Sequence, residues 1–134
     1  MIGIDTNILV RYLVQDDDTQ AAQATLLIEK TISVDMPAYI TLISLVEVVW
    51  VLNSCYGINK NDLCVMIRMV LETKQFLIEQ SESCYRALKL FEQGHGDFSG
   101  ALIATLSKDA GCSQTLTFDK KAQSVGMELL AIKQ

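Results

Sequence analysis

The chain has 134 residues, of which 50% are hydrophobic and one is proline. A chain of this length fits a single domain, residues 1–134, that buries roughly two thirds of its unfolded surface, and the composition excludes a disordered or linker-rich protein. The net charge of −5 argues against broad electrostatic binding to nucleic acid, which depends on Lys and Arg. Carboxylates gathered around a divalent cation would also make a chain acidic, so the charge leaves the class of partner open.

Export and membrane insertion are not indicated by the sequence. Asp5 interrupts the N-terminus before an apolar signal segment can form, so we expect a cytoplasmic protein. The longest apolar stretch, Ile40 to Leu52, contains Glu47 and is shorter than the roughly 20 residues of a membrane span. The four cysteines show neither C-x-x-C spacing nor a nearby histidine, so we expect reduced, mostly buried thiols.

Strands and helices are predicted to alternate along the first half of the chain. Met1 to Ile4 predicts a short strand, and the apolar spacing after Asp5 predicts a helix directly behind it. An acidic run at residues 16–18 precedes an alanine-rich helix, a favourable arrangement beside the helix dipole. Helices are predicted at Thr19–Lys30, from a cap at Thr41 to about Cys55, and from a cap at Asn59 through Leu71. Strands are predicted at Val34–Ile40 and Lys74–Glu79.

The second half continues the alternation. Ser81 opens an amphipathic helix that Gly94, His95 and Gly96 bring to an end, and Asp97 starts the next helix, which stops at Gly111. A fourth strand, a short helix and a last strand are predicted at Thr115–Phe118, Lys120–Val125 and Glu128–Ala131. The pattern indicates an α/β fold with a mostly parallel sheet of about five strands, covered by helices on both faces.

Acidic residues follow the strands of this predicted sheet. Asp5 closes the first strand and Asp119 the fourth, so both can lie at the edge where ligands bind in such sheets. Asp97 starts a helix that leads toward Asp119 and is a plausible third member. Glu47 stands in a helix that is apolar on nearly every side, where a charge is expensive unless it is paired or bound to metal. Four converging carboxylates predict a divalent cation that relieves their repulsion.

All-oxygen ligands suit Mg²⁺ or Mn²⁺ better than zinc. Such an ion can orient water and hold a phosphodiester, so the implied reaction is phosphodiester hydrolysis. Each acid also has an ordinary explanation. Asp5 can be a turn residue, Asp97 and Asp119 can be helix caps, and Glu47 can be paired with a buried Arg or Lys.

These residues resemble the PIN-domain family, especially the VapC toxins of prokaryotic toxin–antitoxin pairs, over nearly the whole chain. The resemblance rests on Ile4-Asp5-Thr6-Asn7, on Glu47 in the apolar third helix, on the run Asp97 to Ala104 and on Thr117-Phe118-Asp119. It implies a three-layer α/β/α fold and a Mg²⁺- or Mn²⁺-dependent endoribonuclease that acts on RNA. It also implies a small antitoxin protein as partner and a homodimer.

By the same resemblance Asp5, Glu47 and Asp119 match acidic site positions. The supporting residues would be Thr6, Asn7, Ser99 and Thr117. Gly100 departs from the family, whose members usually carry an acid directly before the Ala-Leu-Ile-Ala run, and Asp97 is then the substitute ligand. This departure supports an alternative, an inactive or weak PIN-like module that binds RNA or an antitoxin.

A phosphoaspartyl enzyme is the alternative class of function, and several further residues have alternative roles. A phosphoaspartyl enzyme also places an Asp at a strand end, but a haloacid-dehalogenase-like phosphatase would have a second Asp where this chain has Asn7. Contacts to substrate phosphate are possible for Arg11, Lys120 and Lys121, although solvated helix faces are the ordinary explanation. His95 is expected at the surface or in a capping role. Helical spacing of Trp50, Met66 and Met69 indicates core packing, with a partner surface as the alternative.

Overall fold

A computed structural model describes residues 1–130 of the protein, so the predicted end of the last strand at Ala131 lies outside the described residues. The described backbone forms two compact units, the first Met1–Ser81 and the second beginning at Glu82. The prediction of one domain over the whole chain stays a prediction. No helix among the described residues is long and apolar enough to cross a bilayer.

The first unit is a three-stranded parallel sheet with four helices. Its strands are β1 (Ile2–Gly3), β2 (Ala38–Ile40) and β3 (Phe76–Ile78), in the order β1-β2-β3. The register pairs Ile2 with Ala38, and Ala38 with Phe76. The helices are α1 (Thr6–Val14), α2 (Asp18–Leu26) with a π-helical turn at Leu27–Thr31, α3 (Leu42–Ser54) and α4 (Lys60–Glu72).

Helix α1 packs on α2 and on α3, and α4 packs on α3 and β3. The core of this unit contains fully buried aliphatic side chains. Among them are Leu9, Ile28, Ile40, Leu45 and Leu52. Burial of each stabilises the fold by about 1.5–3 kcal/mol.

The second unit contains α5 (Ser81–Gln93), α6 (Phe98–Asp109), β4 (Leu116–Thr117), a 3₁₀ helix (Lys120–Val125) and β5 (Glu128–Leu129). Strands β4 and β5 form a separate parallel pair. The prediction of one central sheet of about five strands is therefore wrong, because the strands divide into a sheet of three and a pair. The α/β class, the parallel direction and the order of the elements are confirmed.

An ion pair joins α5 to α6. Arg86 Nη1 lies 2.7 Å from Asp109 Oδ1, and the hydroxyl of Ser83 donates to Asp109 Oδ2 at 2.6 Å. The hydrogen bonds from Arg86, then that from Ser83, lower the pKa of Asp109 to about 2.

None of the four cysteines forms a disulfide, as expected. The expectation that they are mostly buried is wrong, since only Cys84 is buried while Cys55 and Cys112 are exposed. The reason is their position, because Cys55 ends α3 and Cys112 lies in the turn after α6.

Candidate functional site

The carboxyl ends of the three strands in the first unit meet at one edge of the sheet. Asp5 follows β1, Thr41 follows β2 and Glu79 follows β3. The ladder continues to this edge, since Ile4 N–H donates to Tyr39 O at 3.2 Å and Glu79 N–H donates to Ile40 O at 2.9 Å. The edge therefore carries two carboxylates and a hydroxyl.

Asp5 is the N-cap of α1, in extended conformation with φ −89° and ψ 165°. Its Oδ1 accepts a hydrogen bond from Thr6 N–H at 2.7 Å. The side chain is exposed, so its carboxylate is open to a ligand from solvent. Asn7, the next predicted support, is also exposed.

Thr6 joins Asp5 to Glu47. Thr6 is buried, with 7% of its surface exposed, and its hydroxyl donates to Glu47 Oε1 at 3.2 Å. The same residue therefore holds Asp5 through its backbone and Glu47 through its side chain. The structure thus brings together two of the four predicted acids, 42 residues apart in sequence.

The expectation that a charge at Glu47 is expensive unless it is paired or bound to metal is wrong, because the side chain is exposed. Helix α3 is apolar all round but buries only one face, which contains Ser44, Leu45, Val48, Val49 and Leu52. Glu47 lies on the opposite face, between Ile43 and Trp50. Its position is explained by the bond to Thr6 and by solvent, and a cation is not required to offset a burial cost.

Glu79 is a further carboxylate at this edge, and the sequence predicted it only as the end of the strand Lys74–Glu79. Its Oε1 accepts from the backbone N–H of Leu42 at 2.9 Å, and Thr41 Oγ1 accepts from Ser44 N–H at 3.1 Å. Glu79 and Thr41 thus both cap the start of α3. The helix dipole favours the negative charge of Glu79 at this N-terminus. The available signal was positional, because Glu79 follows β3 as Asp5 follows β1.

In the second unit Asp97 is the N-cap of α6, as one of the ordinary explanations expected. Its Oδ1 accepts from Gly100 N–H at 2.7 Å. A Cβ atom at position 100 would lie 2.8 Å from the same oxygen. The absence of a side chain at Gly100 therefore gives room to the Asp97 carboxylate. Ser99, a predicted support, is half-buried.

Asp119 caps the 3₁₀ helix, with Oδ1 accepting from Lys121 N–H at 3.0 Å. Thr117 Oγ1 accepts a hydrogen bond from Asp119 N–H at 3.0 Å, and the supporting role of Thr117 stays a prediction. Asp119, Lys120 and Lys121 are all exposed.

The Gly-His-Gly segment packs against this 3₁₀ helix. A Cβ atom on Gly94 would lie 2.7 Å from Ser124 O, and one on Gly96 would lie 2.9 Å from Val125 Cγ2. The exposed His95 donates its N–H to Ser124 Oγ at 2.7 Å. Both glycines are therefore required for close approach, and this contact fixes the chain that leads into Asp97 against the helix that Asp119 caps.

Arg11, a predicted substrate contact, is held in a network of its own. Its Nη1 lies 3.0 Å from Asp16 Oδ1 and 3.1 Å from the hydroxyl of Tyr56, which donates to Asp16 Oδ2 at 2.7 Å. The hydrogen bond from Tyr56 and the charge of Arg11 lower the pKa of the Asp16 carboxyl. Arg11 and Asn7 both line a cavity of about 480 Å³. Asn7 follows Asp5 and Thr6 in the chain, so this cavity lies next to the start of α1.

The donor chemistry of the first unit fits a hard divalent cation. Asp5 and Glu47 offer exposed carboxylate oxygens, and Mg²⁺ is commonly held by one or two carboxylates with waters completing its shell. Within either unit, among residues 1–130, no three or more His, Cys, Asp or Glu side chains group closely enough to hold a metal ion. The shared site of Asp5, Glu47, Asp97 and Asp119 stays a prediction.

Comparison with known proteins gives one finding. The PIN domain family model matches residues 2–127. Neither the curated proteins nor the solved structures include a significant match to the chain. PIN domains are generally nucleases. Because the match covers nearly the whole sequence and both units, the chain belongs to the PIN domain family.

Proposed function

We propose that the protein is a Mg²⁺- or Mn²⁺-dependent endoribonuclease and the toxin of a toxin–antitoxin pair, acting in the cytoplasm. The observation that carries the proposal is the hydrogen bond from Thr6 to Glu47, since it joins a helix carboxylate to the sheet edge where Asp5 stands. Membership of a family of nucleases supports the same reaction.

Asp5 and Glu47 would hold the ion through their exposed oxygens, and Asp97 and Asp119 would complete the acidic site. A bound Mg²⁺ or Mn²⁺ supplies positive charge that polarises the phosphodiester and activates water. Thr6 keeps Glu47 in one orientation, so the carboxylate is positioned before substrate arrives. Asn7, Ser99 and Thr117 would support these acids, and Arg11, Lys120 and Lys121 would contact substrate phosphates.

Protein partners are part of this proposal. Val65 and Met69 lie one turn apart on α4 and are 58% and 53% exposed, so the expectation of core packing is wrong for Met69. Two exposed apolar side chains on one helix face support contact with a small antitoxin or with a second copy in a homodimer.

Cleavage of RNA by the purified protein tests the proposal. We expect RNA cleavage to require Mn²⁺ or Mg²⁺. The cleavage rate should fall by about a hundredfold or more in Asp5→Asn and in Glu47→Gln, the usual loss when one group that stabilises the charge of the transition state is removed. Asp35→Asn is the matched control, because Asp35 is an exposed carboxylate in the turn before β2. Equal cleavage by the wild type and Asp5→Asn would reveal a contaminating nuclease and overturn the proposal.

A second candidate is a PIN module that binds RNA or an antitoxin without turnover. Gly100 favours it, because the position that usually supplies an acid has no side chain and the neighbouring Asp97 carboxylate is engaged as a helix cap. Binding of Mn²⁺ measured by calorimetry, together with absent cleavage over a panel of RNAs, would select this candidate.

A further inference from the structure

The clearest feature outside the proposed site is a cavity of about 550 Å³ in the second unit, between α5, the end of α6 and the loop that leads to β4. Small-molecule sites usually have volumes of roughly 300–1,000 Å³. None of the predicted site residues of this unit lines the cavity, so it is a separate candidate site. The exposed Trp50, for which the expectation of core packing is wrong, offers by contrast only apolar surface.

Three basic side chains line this cavity, although the net charge of the chain is −5. Arg86 and Lys89 are three residues apart on α5, so they lie on the same face of that helix. Lys108 comes from the last turn of α6. Among the lining residues that the structure describes, none is acidic. The cavity is therefore a basic site on an acidic protein, and its field favours an anion.

Of the three basic groups, Arg86 has its charge balanced by a carboxylate. Its guanidinium donates to Asp109 from Nη1 at 2.7 Å and from Nη2 at 2.8 Å. Over residues 1–130, neither Lys89 nor Lys108 forms an ion pair or a hydrogen bond. The charge of Lys108 adds to the low pKa of Asp109 only from a distance. Two ammonium charges are thus left for a ligand.

We propose that this cavity binds a small phosphomonoester, with the phosphate between Lys89 and Lys108. A phosphomonoester carries a charge of about −1.5 to −2 at pH 7 and three strong acceptor oxygens. This charge matches the two free ammonium groups, whereas a carboxylate would balance one of them. Lysine binds phosphate in this way, as a point charge. The inference does not depend on the proposed nuclease function.

An apolar floor makes room for the rest of the ligand. Leu90, the buried Ala104 and Gly126 all line the cavity. A Cβ atom on Gly126 would lie 3.3 Å from Ala104 Cβ and 3.9 Å from Leu90 Cδ1, so the three residues meet. A phosphomonoester with an apolar or ring-containing body can cover this floor, which inorganic phosphate cannot do.

Alkylation of Cys112 tests the inference, because this thiol is exposed and lines the cavity. The full chain is labelled with iodoacetamide and analysed by mass spectrometry, with phenyl phosphate as the probe. At ten times its Kd, we expect phenyl phosphate to slow the labelling of Cys112 about tenfold. The labelling of Cys55, which is exposed in the first unit, should not change. Benzoate should protect Cys112 only at higher concentrations, and benzyl alcohol should not protect it.

Lys89→Gln and Lys108→Gln each remove one ammonium group from an exposed side chain, so both variants should fold. Calorimetry should show that each binds phenyl phosphate about 5- to 10-fold more weakly, the loss expected for one charged contact. Lys74→Gln is the matched control, because it removes the same charge from an exposed lysine in the turn before β3. Its affinity for phenyl phosphate should equal that of the wild type.

Three results would overturn the inference. The first is unprotected Cys112 at about 20 mM phenyl phosphate, well above the millimolar Kd of a weak ligand. The second is equal affinity of Lys89→Gln, Lys108→Gln and Lys74→Gln for this probe. The third is protection of Cys112 by an oligoglutamate peptide at lower concentrations than phenyl phosphate, which would assign the cavity to a protein partner. Cleavage of RNA is a separate measurement, so failure of either proposal leaves the other intact.

Discussion

The contact between Gly100 and Asp97 leads to a quantitative prediction for a double-mutant cycle. Replacing glycine by alanine inside a helix normally stabilises it by about 0.5–1 kcal/mol. Here the new Cβ atom would lie 2.8 Å from Asp97 Oδ1, so the carboxylate must move and its bond to Gly100 N–H weakens. Loss of such a cap costs about 1 kcal/mol. We therefore expect Gly100→Ala to leave the free energy of unfolding nearly unchanged in the wild type.

In an Asp97→Ala background the cap is already absent, so the same Gly100→Ala change should stabilise the protein by about 0.5–1 kcal/mol. The resulting coupling of about 1 kcal/mol corresponds to about 3–5 °C in Tm for a chain of this size. Urea unfolding followed by circular dichroism, with EDTA present to remove metal effects, measures all four proteins. Ser99→Ala is the control and should change stability equally in both backgrounds. An equal gain from Gly100→Ala in both backgrounds would refute the reasoning.

Other predictions concern packing, the edge of the sheet and pH. Gly94→Ala should destabilise the protein by about 1–3 kcal/mol through overpacking, whereas Gly3→Ala, with open space around the new atom, should not; thermal melts compare them. Thr6→Val should lower the rate of RNA cleavage by about tenfold, the loss expected for a hydrogen bond worth about 1.4 kcal/mol, and Thr6→Ser, which keeps the hydroxyl, should restore most of it. Arg86 depresses the pKa of Asp109 to about 2, so their pairing stabilises the fold above the ordinary carboxyl pKa of 3.8 and is lost as pH falls toward 2. The Tm deficit of Asp109→Asn should therefore shrink over this window, and a constant deficit would exclude the ion pair as its cause.

Local chemistry explains why most element boundaries could be predicted. Thr41, Asn59 and Asp97 were predicted to begin helices, and each is an N-cap whose side chain accepts a backbone N–H. A cap is a short-range signal that one residue type and the following helical spacing reveal. The order of strands and helices followed from periodicity in the same way.

The features that the sequence did not predict depend on contacts between residues distant in the chain. Division of the strands into a sheet of three and a pair is decided by long-range pairing, which no local pattern encodes. The exposure of Glu47 depends on which face of an apolar helix meets the core. The hydrogen bond that Leu42 N–H donates to Glu79 Oε1, 37 residues away, likewise requires the tertiary fold. So does the close approach of Gly94 to Ser124.

The connection from β2 to α3 has no spare residue. Ile40 pairs with Ile78, Thr41 caps the helix, and Leu42 begins it with its N–H held by Glu79. One residue inserted after Thr41 would advance every later position of α3 by about 100° around the helix axis, since 3.6 residues make a turn. Glu47 would then rotate away from Thr6. The connection between β2 and α3 should therefore tolerate no change in length, and the spacing of seven residues from Ile40 to Glu47 should be fixed in any variant that keeps the site.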